Sequence, residues 1–148
     1  MKYGIYYAYW EKEWNGDYKY YIDKISKLGF DILEISCGAF SDYYTKDQEL
    51  IDIGKYAKEK GVTLTAGYGP HFNESLSSSE PNTQKQAISF WKETLRKLKL
   101  MDIHIVGGAL YGYWPVDYSK PFDKKRDLEN SIKNMKIISQ YAEEYDIM

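Results

Sequence analysis

The sequence predicts an α/β fold with a parallel sheet, arranged as the first half of a (β/α)8 barrel. Short β-rich runs alternate four times with amphipathic segments, which gives the order β-α-β-α-β-α-β-α. The junctions KLGFDIL, EKGVTL and KLMDIHI each pass from a helix end to a strand start, and the final EEYDIM makes the same move. Such an order implies parallel strands with crossover helices, and half a barrel has on the order of 125 residues. A self-contained flavodoxin-like sheet is the alternative.

Hydrophobic period and end signals predict the first elements. The strand candidates are Gly4–Tyr7, Asp31–Ile35, Val62–Ala66 and Ile103–Val106. Helical spacing of apolar residues predicts helices over Asp17–Leu28 and Lys46–Lys60, each followed by a glycine that ends it.

Two further helices complete the pattern. The third is predicted to begin at Ser79–Pro81, because proline is tolerated in a first helical turn. The fourth is predicted to be capped by Asp127, with Lys124–Arg126 as a solvated loop before it. No low-complexity linker interrupts the series, so residues 1–148 are predicted to lie in one domain.

Composition excludes several classes of function. The net charge is -2, with 20 basic and 22 acidic side chains, so a nucleic-acid partner is not expected. Cys37 is the only cysteine, and no apolar run approaches the ~20 residues that cross a bilayer. MKYGIYYAYW lacks the apolar core of a signal peptide. We therefore expect a cytoplasmic protein without a membrane partner.

Aromatic residues and glycines follow the predicted strands. Tyr, Phe and Trp make up 17% of the chain, and three of the four segments after a strand combine Gly with Tyr or Trp. Ligands bind at the carboxyl ends of parallel strands, and ring faces beside backbone amides suit a sugar. We expect Tyr6, Trp14 and Trp114 either to face a ligand or to pack beneath the loops.

Other side chains have simpler predicted roles. Packing beneath the loops is expected of a second aromatic set, Tyr7, Tyr9, Trp10 and Tyr20. His71 is a candidate for binding a substrate hydroxyl, whereas His104 is expected to be buried and hydrogen-bonded in mid-strand. Glu34 is expected either to position a ligand or to form a structural ion pair. The loop of about twenty residues from Gly107 to Arg126 is a candidate lid, because such connections usually have ~2–6 residues.

Known catalytic motifs are absent from the sequence. It has no G-x-G-x-x-G after the first strand, no P-loop, no G-x-S-x-G and no cluster with metal-ligand spacing. The chain therefore supplies walls for a binding site but no visible acid, base or metal set.

Four segments resemble the ketose 3-epimerases, the D-psicose (D-allulose) and D-tagatose 3-epimerase family. They are YGIYYAYWEKEW, KLGFDILEI, LTAGYGP and IVGGALYGYWPVDY, and the similarity runs over essentially the whole chain. The resemblance implies a (β/α)8 barrel of about twice this length. It also implies a cytoplasmic homodimer or homotetramer that acts on a ketohexose such as fructose, psicose or tagatose.

The resemblance also implies a mechanism. In that mechanism a divalent ion, Mn²⁺ or Co²⁺, holds the ketose oxygens and acidifies the C3 proton. One glutamate removes this proton to give a cis-enediolate, and a second glutamate reprotonates the opposite face of C3. The glutamates and the metal ligands lie on strands five to eight of the family. No catalytic or metal residue is therefore expected in this chain, and the segment alone is predicted to be inactive.

The residues that the resemblance carries over form a substrate wall. Tyr6, Trp14 and Trp114 match aromatic residues of the family's pocket, and Gly67 and Ala109 match small residues packed against the sugar, with Leu110 nearby. His71 joins them as the hydroxyl-binding candidate. The segment Ser36–Tyr44 is less typical of the family, so its part in the pocket is left open.

Two other functions are compatible with the sequence. One is another metal-dependent barrel of the xylose-isomerase-like superfamily, either an aldose–ketose isomerase or an apurinic endonuclease, although the charge disfavours the endonuclease. The other is a non-catalytic half-barrel that functions by association, since unpaired edges at its first and fourth strands favour self-pairing.

Overall fold

Four parallel strands form the sheet of this protein. The structure, a computed structural model, describes residues 1–119 and 122–148. The strands are β1 (Gly4–Tyr6), β2 (Ile32–Ser36), β3 (Thr63–Tyr68) and β4 (Val106–Gly108), and their order in space is the order in the chain. All three pairings are parallel. The predicted alternation of parallel strands and helices is confirmed.

Helices connect successive strands. They are α1 (Tyr18–Leu28), α2 (Ala39–Asp42), α3 (Asp47–Glu59), α4 (Pro81–Leu100) and α5 (Lys124–Glu144). Each long helix packs on the next: α1 contacts α3, α3 contacts α4, and α4 contacts α5. The long helices match the sequence prediction to within a few residues, whereas the single-turn α2 was not predicted.

Alternation along β2 separates a core face from a second face of the sheet. Leu33 and Ile35 are fully buried in the hydrophobic core, together with residues of α1, α3 and α4 such as Ile22, Leu50 and Leu95. Glu34 and Ser36 point the other way, because successive side chains of a strand lie on opposite faces. The second face of the sheet is therefore where polar side chains of β2 gather.

The start of β4 differs from the prediction. The strand runs from Val106 to Gly108 instead of Ile103 to Val106, because Ile103 still closes the end of α4 by donating its amide to the Leu98 carbonyl at 3.0 Å. His104 therefore lies before the strand, and its side chain is 40% exposed. The prediction of a hydrogen-bonded His104 is confirmed, but the prediction that it is buried in mid-strand is wrong.

The start of α5 also differs from the prediction. The helix begins at Lys124 and is capped by Asp123, whose side chain accepts a hydrogen bond from the Arg126 amide at 3.1 Å. Asp127 lies inside the first turn, and the triplet that we expected to be a loop is helical. Both aspartates satisfy the preference of helix starts for acidic residues, so the pattern alone could not choose between them.

The last residues lie along the free edge of β4. The Met148 amide donates to the His104 carbonyl at 2.8 Å, and the Val106 amide donates to the Met148 carbonyl at 2.8 Å. These two bonds use the edge of β4 opposite to β3, which is bound through the Ile105 carbonyl. Met148 thus occupies the position that a fifth parallel strand takes.

Candidate functional site

A cavity of about 640 Å³ opens at the carboxyl ends of the four strands. All four strands or the segments that follow them contribute side chains. Its lining residues are Tyr6, Glu13, Trp14, Asn15, Glu34, Ser36, Gly38, Ala39, Tyr43, Gly67, Tyr68, Gly69, His71, Gly108, Ala109, Trp114 and Pro115. The volume is in the range of small-molecule sites, and the location is the one that parallel α/β folds use for ligands.

The structure brings most of the predicted substrate residues to this cavity. Six of the seven line it, namely Tyr6, Trp14, Gly67, His71, Ala109 and Trp114. The seventh, Leu110, lines a separate apolar cavity between α4 and α5. Its predicted role was based on proximity in sequence to Ala109, but the backbone after β4 turns the two side chains to different sites.

Glu34, Ser36 and Gly67 form the floor of the cavity. Glu34 stands beside Tyr6 in the β1–β2 register, and Ser36 stands beside Gly67 in the β2–β3 register. A methyl group added to Gly67 would lie 2.7 Å from the Glu34 Oε1 atom. The absence of a side chain at Gly67 therefore leaves the space that the Glu34 carboxylate occupies.

Buried tyrosines support the end of β2 from below. The Tyr18 hydroxyl donates to the Ser36 carbonyl at 3.1 Å and accepts from the Ser36 amide at 3.3 Å. Burial raises the pKa of Tyr18 well above its ordinary value, with the neighbouring Tyr7 adding to the shift. Tyr18 is therefore a neutral phenol that fixes the backbone position of the cavity floor.

Tyr6 presents a protonated phenol at the cavity. Burial raises its pKa, hydrogen bonding with Ser36 opposes that shift, and the charge of Glu34 adds to it. The Cys37 thiol beside it is fully buried, and burial together with Glu34 raises its pKa as well. Cys37 is therefore a packing residue and not an activated nucleophile.

Trp14 forms one wall of the cavity. The segment after β1 is held by the Tyr7 hydroxyl, which donates to the Trp14 carbonyl at 2.6 Å. The Trp14 ring lies 6.4 Å from the Tyr6 ring and is 66% exposed. An exposed indole over a polar floor is suited to cover the apolar C–H face of a ligand.

Trp114 forms a second wall of the cavity. Its amide donates to the Pro70 carbonyl at 2.7 Å, which ties the segment after β4 to the segment after β3. Gly108 has a φ of 109°, and a side chain there would collide with the Tyr68 backbone. Only glycine permits this close approach of β3 and β4, and the turn it makes delivers Ala109 to the cavity.

Three polar side chains of α5 hold the loops around the site. Asn134 donates to the Leu76 carbonyl at 2.8 Å, and Ser131 donates to the Tyr111 carbonyl at 2.8 Å. Asn130 donates to the Ser78 carbonyl at 3.1 Å. The segments after β3 and β4 are thus anchored to one rigid helix. Residues 120 and 121 of the predicted lid loop lie outside the described residues, so the lid stays a prediction.

The aromatic residues expected to pack beneath the loops divide into two pairs. Tyr7 is fully buried, and Trp10 stacks on Tyr21 with ring centroids 5.7 Å apart. Tyr9 and Tyr20 are 76% and 54% exposed, so for them the prediction is wrong. Their side chains point outward, that of Tyr9 from a 3-10 turn over Tyr7–Tyr9 and that of Tyr20 from α1, and an aromatic count does not reveal that direction.

Several lining residues were not singled out from the sequence. They include Glu13, Asn15, Tyr43, Tyr68 and Pro115. Tyr68 is the last residue of β3, and its hydroxyl donates to the Glu74 carboxylate at 2.7 Å, which also accepts from the His71 amide at 2.9 Å. Its position at a strand end was the signal that could have found it. Ser36, Gly38 and Ala39 belong to the segment whose contribution the sequence left open.

The part of the chain that the structure describes contains no group of three or more His, Cys, Asp and Glu side chains that could hold a metal ion. The residues of this cavity therefore do not fit a metal centre by themselves. Across the same described residues, no helix combines the length and apolarity needed to span a bilayer.

Comparison with known families decides the fold family. Residues 22–148 match the family described as Xylose isomerase-like TIM barrel. The chain belongs to this family. Its four parallel strands and their helices are therefore strands and helices of a TIM-barrel family, and the flavodoxin-like alternative is excluded.

Relatives of this TIM-barrel chain include named epimerases. It is 55% identical over 148 residues, its full length, to the D-psicose 3-epimerase of Enterocloster bolteae, of which it covers 49%. It is 48% identical over 143 residues to the D-psicose 3-epimerase of Ruminiclostridium cellulolyticum, of which it covers 48%. The chain thus spans about half the length of these curated relatives.

A solved structure gives the same picture. The chain is similar to D-psicose 3-epimerase with D-tagatose from Clostridium cellulolyticum H10, with a TM-score of 0.96 and 46% sequence identity. The match covers 99% of this chain and 50% of that one.

Proposed function

We propose that this chain forms the first half of a (β/α)8 barrel that epimerises a free ketohexose at C3. The observation that carries the proposal is the cavity at the strand ends, where Tyr6, Trp14, Gly67, Ala109 and Trp114 meet. The identity of 55% with a D-psicose 3-epimerase over the full chain supports the same assignment.

The proposed role of this half is to bind and orient the sugar. The indoles of Trp14 and Trp114 cover C–H patches from two sides, while Tyr6 offers a neutral hydroxyl that both donates and accepts. Gly67 and Ala109 leave room for the sugar chain between these walls. Holding the reacting carbons in one orientation contributes to the rate before any proton moves.

The acid, the base and the metal are proposed to lie in the second half of the barrel. The described residues contain no group of three or more His, Cys, Asp and Glu side chains that could hold a metal ion, so no step is assigned to a metal on this chain. Two glutamates on opposite sides of the ketose, and a divalent ion such as Mn²⁺ or Co²⁺, are proposed to come from strands beyond β4. The complete protein is proposed to be a cytoplasmic homodimer or homotetramer.

Two features of the fold support a second half. Met148 already forms two hydrogen bonds with the free edge of β4. Beside it, an apolar cavity of about 580 Å³ is lined by side chains of α4, β4 and α5, among them Trp91, Val106 and Ile138. Further strands and helices of a barrel would cover this apolar surface.

A joined barrel tests the proposal. It consists of residues 1–148 of this chain continued by the second half of the Enterocloster bolteae enzyme. We expect the joined barrel, given D-fructose and Mn²⁺, to produce D-psicose, detected by chromatography and by NMR of the C3 proton. Each half alone is expected to be inactive. As a control, the bolteae enzyme is divided at the same point and its two halves are mixed, which shows whether halves of such a barrel can form an active enzyme.

The product separates the candidate functions. An aldose as the only product would favour the aldose–ketose isomerase and contradict C3 epimerisation. No sugar product from the joined barrel, while the reassembled bolteae halves are active, would contradict the enzymatic proposal and leave association as the function of this half-barrel.

A further inference from the structure

Glu34 places a carboxylate on the cavity floor, and no other group of the described residues forms an ion pair or a hydrogen bond with it. It is partly buried at the end of β2 and lines the cavity with Tyr6, Ser36 and Gly67. Among residues 1–119 and 122–148, the ion pairs and side-chain hydrogen bonds involve other carboxylates, such as those of Asp23, Asp47 and Glu93. The structural ion pair that the sequence left open is therefore not formed within the described residues.

The Glu34 carboxylate lies over Gly67. The Oε1 atom lies above Gly67, at 2.7 Å from where a methyl group would stand. A larger residue at position 67 would push the carboxylate away, so the absence of a side chain at Gly67 permits its position. The Tyr6 phenol is close enough for the charge of Glu34 to raise its pKa, although burial is the larger cause.

An ionised carboxylate only accepts hydrogen bonds, and it needs donors when water is displaced from around it. The cavity is also lined by Trp14, Trp114 and the possible donors Asn15, Tyr43 and His71, but none of these hydrogen-bonds to Glu34 among the described residues, and the Glu13 carboxylate is exposed on the loop after β1. A polyol supplies the missing donors, because adjacent hydroxyls can each donate to one carboxylate oxygen. Bonds to a charged acceptor are about twice as strong as neutral ones.

We propose that Glu34 is a further sugar-binding residue, whose carboxylate, lying over Gly67, accepts hydrogen bonds from hydroxyls of the bound ketose. The inference rests on the proposed function for the class of ligand, and it adds a charged specificity residue on the floor to the predicted substrate residues of the walls. Glu34 thereby discriminates between sugars that have a hydroxyl above Gly67 and those that lack it.

The test compares sugar binding by the joined barrel carrying Glu34→Gln with sugar binding by the unchanged joined barrel. Quenching of tryptophan fluorescence reports binding without turnover, because Trp14 and Trp114 line the cavity. The probes are D-fructose and its monodeoxy analogues, each lacking one hydroxyl. We expect the substitution to weaken D-fructose binding by roughly ten- to hundredfold, as for a lost bond to a charged group. Glu59→Gln, at an exposed residue of α3, is the matched control and should bind as the unchanged protein does.

The deoxy analogues identify the contact. For the analogue that lacks the partner hydroxyl, Glu34→Gln is expected to cost little, because the bond is already missing. An equal loss for D-fructose and every analogue would overturn the inference, since it would show that Glu34 acts on a protein group of the second half. Unchanged binding of D-fructose would overturn it as well.

Gly67→Ala provides a second variant that keeps the charge. The added methyl displaces the Glu34 carboxylate, so D-fructose binding should weaken similarly. In a Glu34→Ala background the same glycine substitution should weaken binding less than it does in the unchanged barrel, because the methyl then only narrows the space for the sugar and displaces no carboxylate; full additivity would contradict the proposed arrangement. If the joined barrel epimerises D-fructose but Glu34→Gln does not change sugar binding, this inference alone is refuted. If Glu34→Gln weakens sugar binding but the joined barrel gives no C3 epimer, the proposed function alone is refuted.

Discussion

At the scale of single residues, the backbone of Ser36 depends on one phenol. Tyr18 is fully buried, and its hydroxyl both donates to the Ser36 carbonyl and accepts from the Ser36 amide. Ser36 in turn lies beside Gly67 and lines the cavity. A packing tyrosine on α1 thus determines where the floor of the site lies, although it does not reach the site itself.

Tyr18→Phe is expected to destabilise the joined barrel by about 1–3 kcal/mol, the cost of leaving buried polar groups without partners. The aromatic packing is preserved, so the change isolates the two hydrogen bonds. The free energy of unfolding in urea measures it, with Tyr20→Phe on the same helix as control because that side chain is 54% exposed. Equal stability of the two variants would show that the Ser36 backbone finds other partners.

The cavity position of a residue could be predicted where the residue lies at the end of a strand. Tyr6 and Gly67 lie on strands, so the alternation of side chains places them on the cavity face. The prediction that Tyr9 and Tyr20 pack beneath the loops was wrong because a short 3-10 turn and the rotation of α1 decide which way their side chains point. Glu34 stayed ambiguous in the sequence, since only spatial neighbours show whether a carboxylate has a cation beside it.

At the scale of elements, His104 joins the ends of the two last helices. Its Nδ1 atom lies 2.7 Å from the Asp146 carbonyl oxygen, and its Nε2 atom lies 3.1 Å from Asp102 Oδ1. Asp102 follows α4, and Asp146 follows α5. These hydrogen bonds raise the pKa of His104, the Asp146 carbonyl most strongly, while partial burial and Lys99 oppose the shift.

This junction predicts a pH dependence of stability. Because folding raises the His104 pKa, the protonated histidine stabilises the fold fully below its unfolded pKa of about 6.5, and the contribution is lost as the pH rises through the folded value. We expect the stability difference between the unchanged protein and His104→Gln to be largest in mild acid and to shrink toward alkaline pH. Urea unfolding of the joined barrel across that range measures it; a difference that is constant with pH would contradict the assignment.

The end of a helix or strand could be predicted only where one residue with a strong preference for that position marks it. Gly29 follows α1 with a φ of 79°, as predicted for the glycine that ends this helix. Asp17, predicted as the first residue of the helix, caps it by accepting from the Tyr20 amide. At α5, two aspartates competed for the cap, and at β4 the strand start was set by how α4 ends. Both choices depend on contacts distant in sequence.

At the scale of the whole molecule, one side of the sheet is left open. Among residues 1–119 and 122–148, the free edge of β4 is paired only by Met148, and an apolar cavity of about 580 Å³ lies beside it. On the other side, β1 is paired to β2 alone within the described residues. Unpaired parallel edges beside apolar surface are prone to pair with other chains.

The 148-residue chain alone is therefore expected to self-associate, whereas the chain mixed with the second half of the bolteae enzyme is expected to form a complex of one copy of each. Analytical ultracentrifugation distinguishes the two states, and dye binding to exposed apolar surface should fall on mixing. A well-folded monomer that ignores the second half would contradict the half-barrel assignment.

The sequence by itself determined the alternation of strands and helices, the parallel sheet and the general location of the site. These follow from local periodicity and from the rule that ligands lie at the carboxyl ends of parallel strands. Only the tertiary structure decided that Leu110 leaves the cavity, that Tyr9 and Tyr20 face outward, and that Glu34 has no cation among the described residues. The physical reason is that burial, close approach and charge pairing are set by residues far apart in the chain, which meet only after the strands have paired.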